Sequence, residues 1–295
     1  MSFINDVLYR MTSIIPENCL KELAIRFYCM CFNPLYSLNK NVSKIAQDGE
    51  MLFVELSDGS KFYCSKSVRK SKYLNYGRTD KLNKIKSFVD FGSFLYAIRE
   101  VYLGDQHEKY YRLKEGDIVV DIGANIGLFT VKAVKAVGAS GVVVAIEPEP
   151  KNLDMMKRNI QANRLKNIII VPKGVWSGKG TLKLNLSSYI GEHSFVSKVD
   201  SDTFAEAKVD SLDDILRELN IKHVDFIKMD IEGAEVEALR GMDEILRSRV
   251  NLAIEAGHIV NGKRTYKFIA RELGKINGFK VYTKSDTVYG LKKEE

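Results

Sequence analysis

Residues 116–134 read "GDIVVDIGANIGLFTVKAV". Ile118 to Asp121 favour extended backbone, small residues follow at Gly123, Ala124 and Gly127, and an apolar-periodic segment then begins. The pattern is strand, tight turn, helix. It recurs to the end of the chain, with strand-like runs at 118–121, 142–147, 168–172, 224–230, 252–255, 279–283 and 288–291. Helical patterns fill the gaps at 127–137, 150–163, 211–219, 232–247 and 265–276. Such alternation predicts a parallel sheet covered by helices on both faces.

Only "KSDT" separates the last two strands, too little for a crossover, so they pair antiparallel. The expected fold is α/β: a Rossmann-like, seven-stranded, mostly parallel sheet with an antiparallel C-terminal hairpin. "GKGTLKLNLS" and "HSFVSKV", between Gly174 and Ala207, add a β excursion.

Upstream of residue 90 the pattern changes. Residues 1–33 read as helical, ending before Pro34, and "MLFVELSDGSKFYCS" (51–65) alternates apolar and polar residues around a hairpin turn. We expect residues 1–90 to form a small α+β unit, accessory or substrate-recognising, and residues 91–295 the main domain, led in by helix over 91–113. Of the net charge of +7, the first 90 residues supply +5. Residues 66–86, "KSVRKSKYLNYGRTDKLNKIK", carry eight basic residues against one acid, a stretch suited to an anionic partner such as RNA or a phosphorylated or lipid-linked substrate. A solvated surface is the plain alternative.

No apolar run approaches the roughly 20 residues that span a bilayer, and the N-terminus lacks a secretion pattern. The four cysteines, Cys19, Cys29, Cys31 and Cys64, are too scattered for a disulfide framework. These features place the chain in the cytoplasm, with "RFYCMCFNPLY" offering peripheral contact with a membrane.

In an open α/β sheet the ligand crevice lies at the carboxyl ends of the strands, beside the first glycine-rich turn. Gly123 and Gly127 would let backbone approach a ligand. Glu147, at the end of the second strand, stands where a carboxylate accepts hydrogen bonds from ribose hydroxyls. Asp121, two residues before the first glycine, would repel a pyrophosphate and suit a cationic nucleotide such as S-adenosylmethionine. No Lys-Ser/Thr pair follows to make a P-loop. An ordinary strand-to-helix turn is the alternative reading.

"VVDIGANIGLFTVKA", "AIEPEPKNLDMMKRNI", "VDSLDDIL", "VDFIKMDIEGAEVEALRGM" and "NLAIEAGH", in that order, resemble the FkbM-type methyltransferases, a branch of the class I S-adenosylmethionine-dependent enzymes. The resemblance covers about residues 95–291 and leaves the first 90 aside. It implies that Asp121, Gly123, Ala124, Asn125 and Gly127 line the methionine and ribose part of the cofactor site and that Glu147 takes the ribose. Val175 and Trp176 would contact the adenine, with Ser177 as an acceptor for its amino group.

Methyl transfer from a sulfonium demands alignment above all, and a hydroxyl acceptor must also lose a proton. Asp230 and Glu232 after the fourth strand, with Glu255 and His258 after the fifth, open onto one crevice and are the catalytic candidates; Asp230 also borders the cofactor. Asp230 or His258 is the expected base. Carboxylates that merely favour a helix start, and a satisfied loop histidine, are the alternatives. These groups could also hold a divalent metal, but neither spacing nor an Asp-Asn pair supports one, so none is expected. The implied activity is O-methylation of a sugar, glycan or small metabolite. An RNA methyltransferase using the basic stretch and a non-catalytic cofactor-binding protein are the competing readings.

Overall fold

The computed structural model describes residues 41–48, 51–65, 94–187, 193–196, 203–260, 262–276 and 278–292. The helix expected over 1–33 and the basic stretch 66–86 lie outside the described residues.

Strands β1 (Val42–Asp48), β2 (Met51–Leu56) and β3 (Lys61–Ser65) form an antiparallel sheet in that order. Alternation buries one face: Val54, Leu56, Phe62 and Cys64 are all at most 1% exposed. A helical segment from residue 94 finishes as a wide π-type turn over Ile98–Leu103 and stops at Gly104.

The main sheet begins with β4 (Ile118–Ile122), followed by α1 (Leu128–Val137), β5 (Val142–Ile146), α2 (Pro150–Ala162) and β6 (Ile168–Val171). Valine and isoleucine dominate these strands because helices cover both faces, and β4 and β5 are buried almost throughout. The expected β excursion is a separate three-stranded sheet: β7 (Gly174–Val175), β8 (Gly180–Asn185) and β9 (Phe204–Asp210), with β9 in the middle. Next come α3 (Leu212–Glu218), capped by the Ser211 hydroxyl on the Asp214 amide, and β10 (Phe226–Met229).

The single helix expected over 232–247 is instead two, α4 (Glu235–Arg240) and α5 (Asp243–Arg247). Glu232 and Gly233 take positive φ of 52° and 101°, which delays the start. Gly241 breaks the middle, where an added Cβ would lie 2.2 Å from the Trp176 carbonyl oxygen. The chain closes with β11 (Asn251–Glu255), a short β12 (Ile259–Val260) and β13 (Lys263–Arg264) ribbon, α6 (Thr265–Lys275), β14 (Phe279–Lys284) and β15 (Thr287–Lys292).

The seven-stranded order is β14-β15-β11-β10-β4-β5-β6, parallel from β11 to β6, with β15 antiparallel to both β11 and β14. The chain runs outward from β4 through β5 to β6, then returns to β10 on the other flank. A crevice therefore opens between β4 and β10 at their carboxyl ends.

The small sheet is joined to this frame by one hydrophobic cluster, in which Phe62, Phe94, Ile98 and Tyr102 meet Ile126, Leu128, Val131 and Met155. Two asparagines of α2 and its end serve the backbone of β3. Asn159, wholly buried, accepts from the Tyr63 amide at 2.6 Å and donates to the Tyr63 and Ile126 carbonyls at 3.3 and 2.8 Å. Asn163 accepts from the Lys61 amide at 2.9 Å and donates to the Lys61 carbonyl at 2.6 Å. The edge of β3 is thereby satisfied by side chains.

Replacing Asn159 with Leu leaves the buried Ile126 carbonyl unpaired, at a cost of about 1–3 kcal/mol, and removes the partner of the two part-buried Tyr63 groups, which water compensates in part. The expected loss is about 2–4 kcal/mol, read as a lower urea midpoint of the full chain. An unchanged midpoint would show that these bonds do not hold the small sheet.

Candidate active site

Gly123 ends β4 at a positive φ of 74° and presses against β10: a Cβ there would lie 1.9 Å from the Asp230 carbonyl oxygen. Gly127, at φ 85°, packs beneath Met156, whose Cγ would lie 2.8 Å from an added Cβ. Both glycines answer first to protein packing. Between them Asn125 also turns left-handed, at φ 52°, which brings its backbone amide to the Glu147 carboxylate at 2.9 Å.

The crevice is a cavity of about 270 Å³. Of the residues expected at the cofactor, Gly123, Ala124, Asn125, Glu147, Val175 and Asp230 line it. Asp121, Gly127 and Trp176 are not among the lining residues. Gly127 serves Met156 instead. Trp176 is half-buried and meets the edge of Phe195, 6.1 Å between centroids, so Phe195 is the ring that reaches the cavity. Ser177 is exposed and lines nothing there.

Asp121 requires the larger correction. It is 0% exposed, pairs with the Lys228 ammonium at 3.1 Å and accepts from the Thr130 hydroxyl at 2.7 Å. Its charge is answered inside the protein, so it does not face a ligand as the sequence suggested. Lys228 also donates to the Gly123 carbonyl at 2.9 Å. Burial alone would lower its pKa, but Asp121 outweighs this, with Asp230 and Glu255 adding, and the net direction is upward. Lys228 lines the cavity and was missed from sequence. The available signal was a lone cation inside the apolar run "FIKM".

Glu147 stands at the end of β5, buried, accepting from the amides of Asn125 and Glu149 at 2.9 Å each and from the Asn152 side chain at 3.3 Å. Burial pushes its carboxyl up to about 7, against the pull of these three donors. Lone-pair capacity remains for a ligand hydroxyl. Phe94, Ala97 and Val101 complete an apolar wall from the segment before β4.

On the β10 side, Asp230 and Glu232 line the cavity, whereas Glu255 and His258 are not lining residues. Glu255 turns toward the loop before β4, accepting from Gln106 at 3.0 Å with His107 at 3.6 Å, and that imidazole holds its carboxyl below the ordinary value. His258 is clamped, with Nδ1 2.9 Å from Glu235 and Nε2 3.2 Å from Glu232. Burial would lower its pKa, yet the two carboxylates push it up to about 11. With both ring nitrogens engaged by carboxylates, His258 offers no free nitrogen to an acceptor proton in this arrangement, which favours Asp230 of the two expected candidates. Asp230 differs: burial, with Glu255 and Glu232 against Lys228 and His258, pushes its carboxyl up to about 7.

The arrangement has two halves: a left-handed turn and a buried carboxylate suited to a ribose, and an acidic group facing the remaining space. Residues 121–281 match the family model described as Methyltransferase FkbM domain. Methyltransferase sdnD of Sordaria araneosa is 31% identical over 163 residues, covering 45% of this chain and 62% of its own length. Hexuronic acid methyltransferase AglP of Haloferax volcanii is 29% identical over 154 residues, covering 49% of this chain and 57% of its own. The alignments thus span about three fifths of those relatives. Among solved structures, Aeropyrum pernix fibrillarin with natively bound S-adenosyl-L-methionine aligns over 85% of this chain and 99% of its own at 14% identity, with a TM-score of 0.43. The match across residues 121–281, with the crevice that those residues build, shows that the chain belongs to the FkbM methyltransferase family.

Proposed function

We propose that the protein transfers a methyl group from S-adenosylmethionine to a hydroxyl of a sugar or other small metabolite. The observation that carries this reading is the single cavity lined on one side by Gly123, Asn125 and Glu147 and on the other by Asp230 and Glu232. Glu147 takes the ribose, Val175 and Phe195 flank the adenine end, and the sulfonium lies toward Asp230. No helix among the described residues is long and apolar enough to cross a membrane. Residues 1–90 act as an accessory unit, whose described strands pack with Phe94 of the cavity wall.

In the reaction the acceptor oxygen attacks the methyl carbon in line with sulfur. The C–S electron pair leaves with sulfur as a neutral thioether, the O–C bond forms, and the hydroxyl proton passes to Asp230. The crowd of carboxylates favours a neutral hydroxyl over an anionic acceptor, which it would repel. The name of the Haloferax relative, a hexuronic acid methyltransferase, supports a sugar as the acceptor class, while the carboxylates of this cavity favour a sugar without a negative charge.

Three measurements test this reading. Glu147→Gln should weaken S-adenosylhomocysteine binding by roughly 10- to 100-fold, since charge-assisted hydrogen bonds contribute about 1.5–3 kcal/mol each. In the unmodified protein the affinity should fall as pH drops below about 7, because only the carboxylate accepts from both ribose hydroxyls, and the variant should be flat there. A pH-independent affinity would remove Glu147 from the site.

Asp230→Asn should cut turnover about 100-fold or more while S-adenosylhomocysteine still binds; unchanged turnover would dismiss Asp230 as proton acceptor. For the acceptor, the full chain with radiolabelled methyl donor is offered hexuronic acids, neutral sugars and RNA. Alkali-stable methyl ether on a sugar is expected. An alkali-labile ester, or label in RNA alone, would contradict hydroxyl transfer to a sugar.

A further inference from the structure

Asp230, Glu232 and His258 each present one ligand atom, and these atoms lie within 4.8 Å of one another. They belong to two loops, after β10 and after β11, which meet because those strands are parallel neighbours. The sequence placed them on one crevice, but no ligand spacing in it supported a metal.

The imidazole is oriented from behind. Its Nδ1 sits 2.9 Å from Glu235, a carboxylate that is 0% exposed and is itself held by the Gly233 amide at 2.9 Å and the Thr265 hydroxyl at 3.2 Å. Nε2 is thereby turned outward, 3.2 Å from Glu232. An imidazole with one nitrogen on a buried carboxylate and the other aimed at further carboxylates is the usual arrangement of a metal-ligating histidine. The Ser194 hydroxyl fixes the backbone of Glu232 by donating to its carbonyl at 2.7 Å.

Charge points the same way. Asp230, Glu232, Glu235 and Glu255 gather here against His258 and Lys228, and Lys228 is already answered by Asp121. A small divalent cation would offset the surplus. Two carboxylates and one imidazole suit the magnesium and manganese class, and three protein ligands leave open positions toward the cavity.

We propose that Asp230, Glu232 and His258 bind one divalent cation of this class on the acceptor side of the cavity, with Glu235 as the positioning residue for the imidazole. The cation takes the place of the proton that Nε2 shares with Glu232. Its open positions accept two neighbouring hydroxyls of the acceptor and make the attacking one easier to deprotonate, its proton passing to the Asp230 carboxylate oxygen that does not hold the cation, so the acceptor carries a vicinal diol. Only this last step rests on the methyl-transfer reading.

The test uses the full chain saturated with S-adenosylhomocysteine and titrated with Mn²⁺, following loss of the free-ion electron paramagnetic resonance signal. About one ion per chain, displaced by Mg²⁺, is expected, with affinity lowered about 10-fold or more in D230N, E232Q and E235Q. Thermal melts without Mn²⁺ confirm that each variant is folded. No stoichiometric uptake by the unmodified chain, or uptake that all three variants retain, would overturn the site. Binding of S-adenosylhomocysteine is read in the same samples before metal is added. Normal nucleotide binding without Mn²⁺ uptake sinks the metal site alone, whereas Mn²⁺ uptake lost in the variants upholds it even if the nucleotide fails to bind.

Discussion

A buried ion pair, Asp121 on β4 with Lys228 on β10, holds the crevice in its shape. The two residues are register partners on adjacent parallel strands, 0% and 4% exposed. Such a pair gains little over an apolar isostere, but losing one partner strands a buried charge and costs about 3–5 kcal/mol. Its use here is positional. The same ammonium donates to the Gly123 carbonyl at 2.9 Å, fixing the turn at the point where Gly123 lies against the Asp230 backbone. The turn then delivers the Asn125 amide to Glu147. One cation thus sets the cavity floor and both of its walls.

The two walls differ in electrostatic character. Glu147 is surrounded by donors, which pull against the burial that raises its carboxyl to about 7, and it stands where a ribose would hydrogen-bond. Asp230 stands among other acids, and its carboxyl is displaced upward by burial and by Glu255 and Glu232. One carboxylate is arranged to accept hydrogen bonds and the other to accept a proton or a cation. Separation of the two roles within a cavity of about 270 Å³ depends on β4 and β10 being adjacent while β5 lies one strand further out.

The sheet was legible in sequence because strand and helix periods differ and the strands carry dense runs of valine and isoleucine. Glu147 and Asp230 were legible because the carboxyl ends of parallel strands converge. What escaped was decided by partners distant in sequence. Nothing local says that Asp121 is already neutralised, since Lys228 is 107 positions away. Nothing local says that His258 is clamped by Glu232 and Glu235, or that Gln106 draws Glu255 aside. The break in the helix over 232–247 follows from the approach of Trp176 to Gly241, again a tertiary fact. Gly127 looked like room for a ligand and is room for Met156.

The central claim is that the space between Glu147 and Asp230 is the seat of the methyl donor. A crystal structure of the full chain with S-adenosylhomocysteine tests it most directly. The account predicts ribose hydroxyls within hydrogen-bond distance of the Glu147 carboxylate and the sulfur turned toward Asp230. A nucleotide bound elsewhere, or one whose sulfur faces away from Asp230 and Glu232, would contradict it.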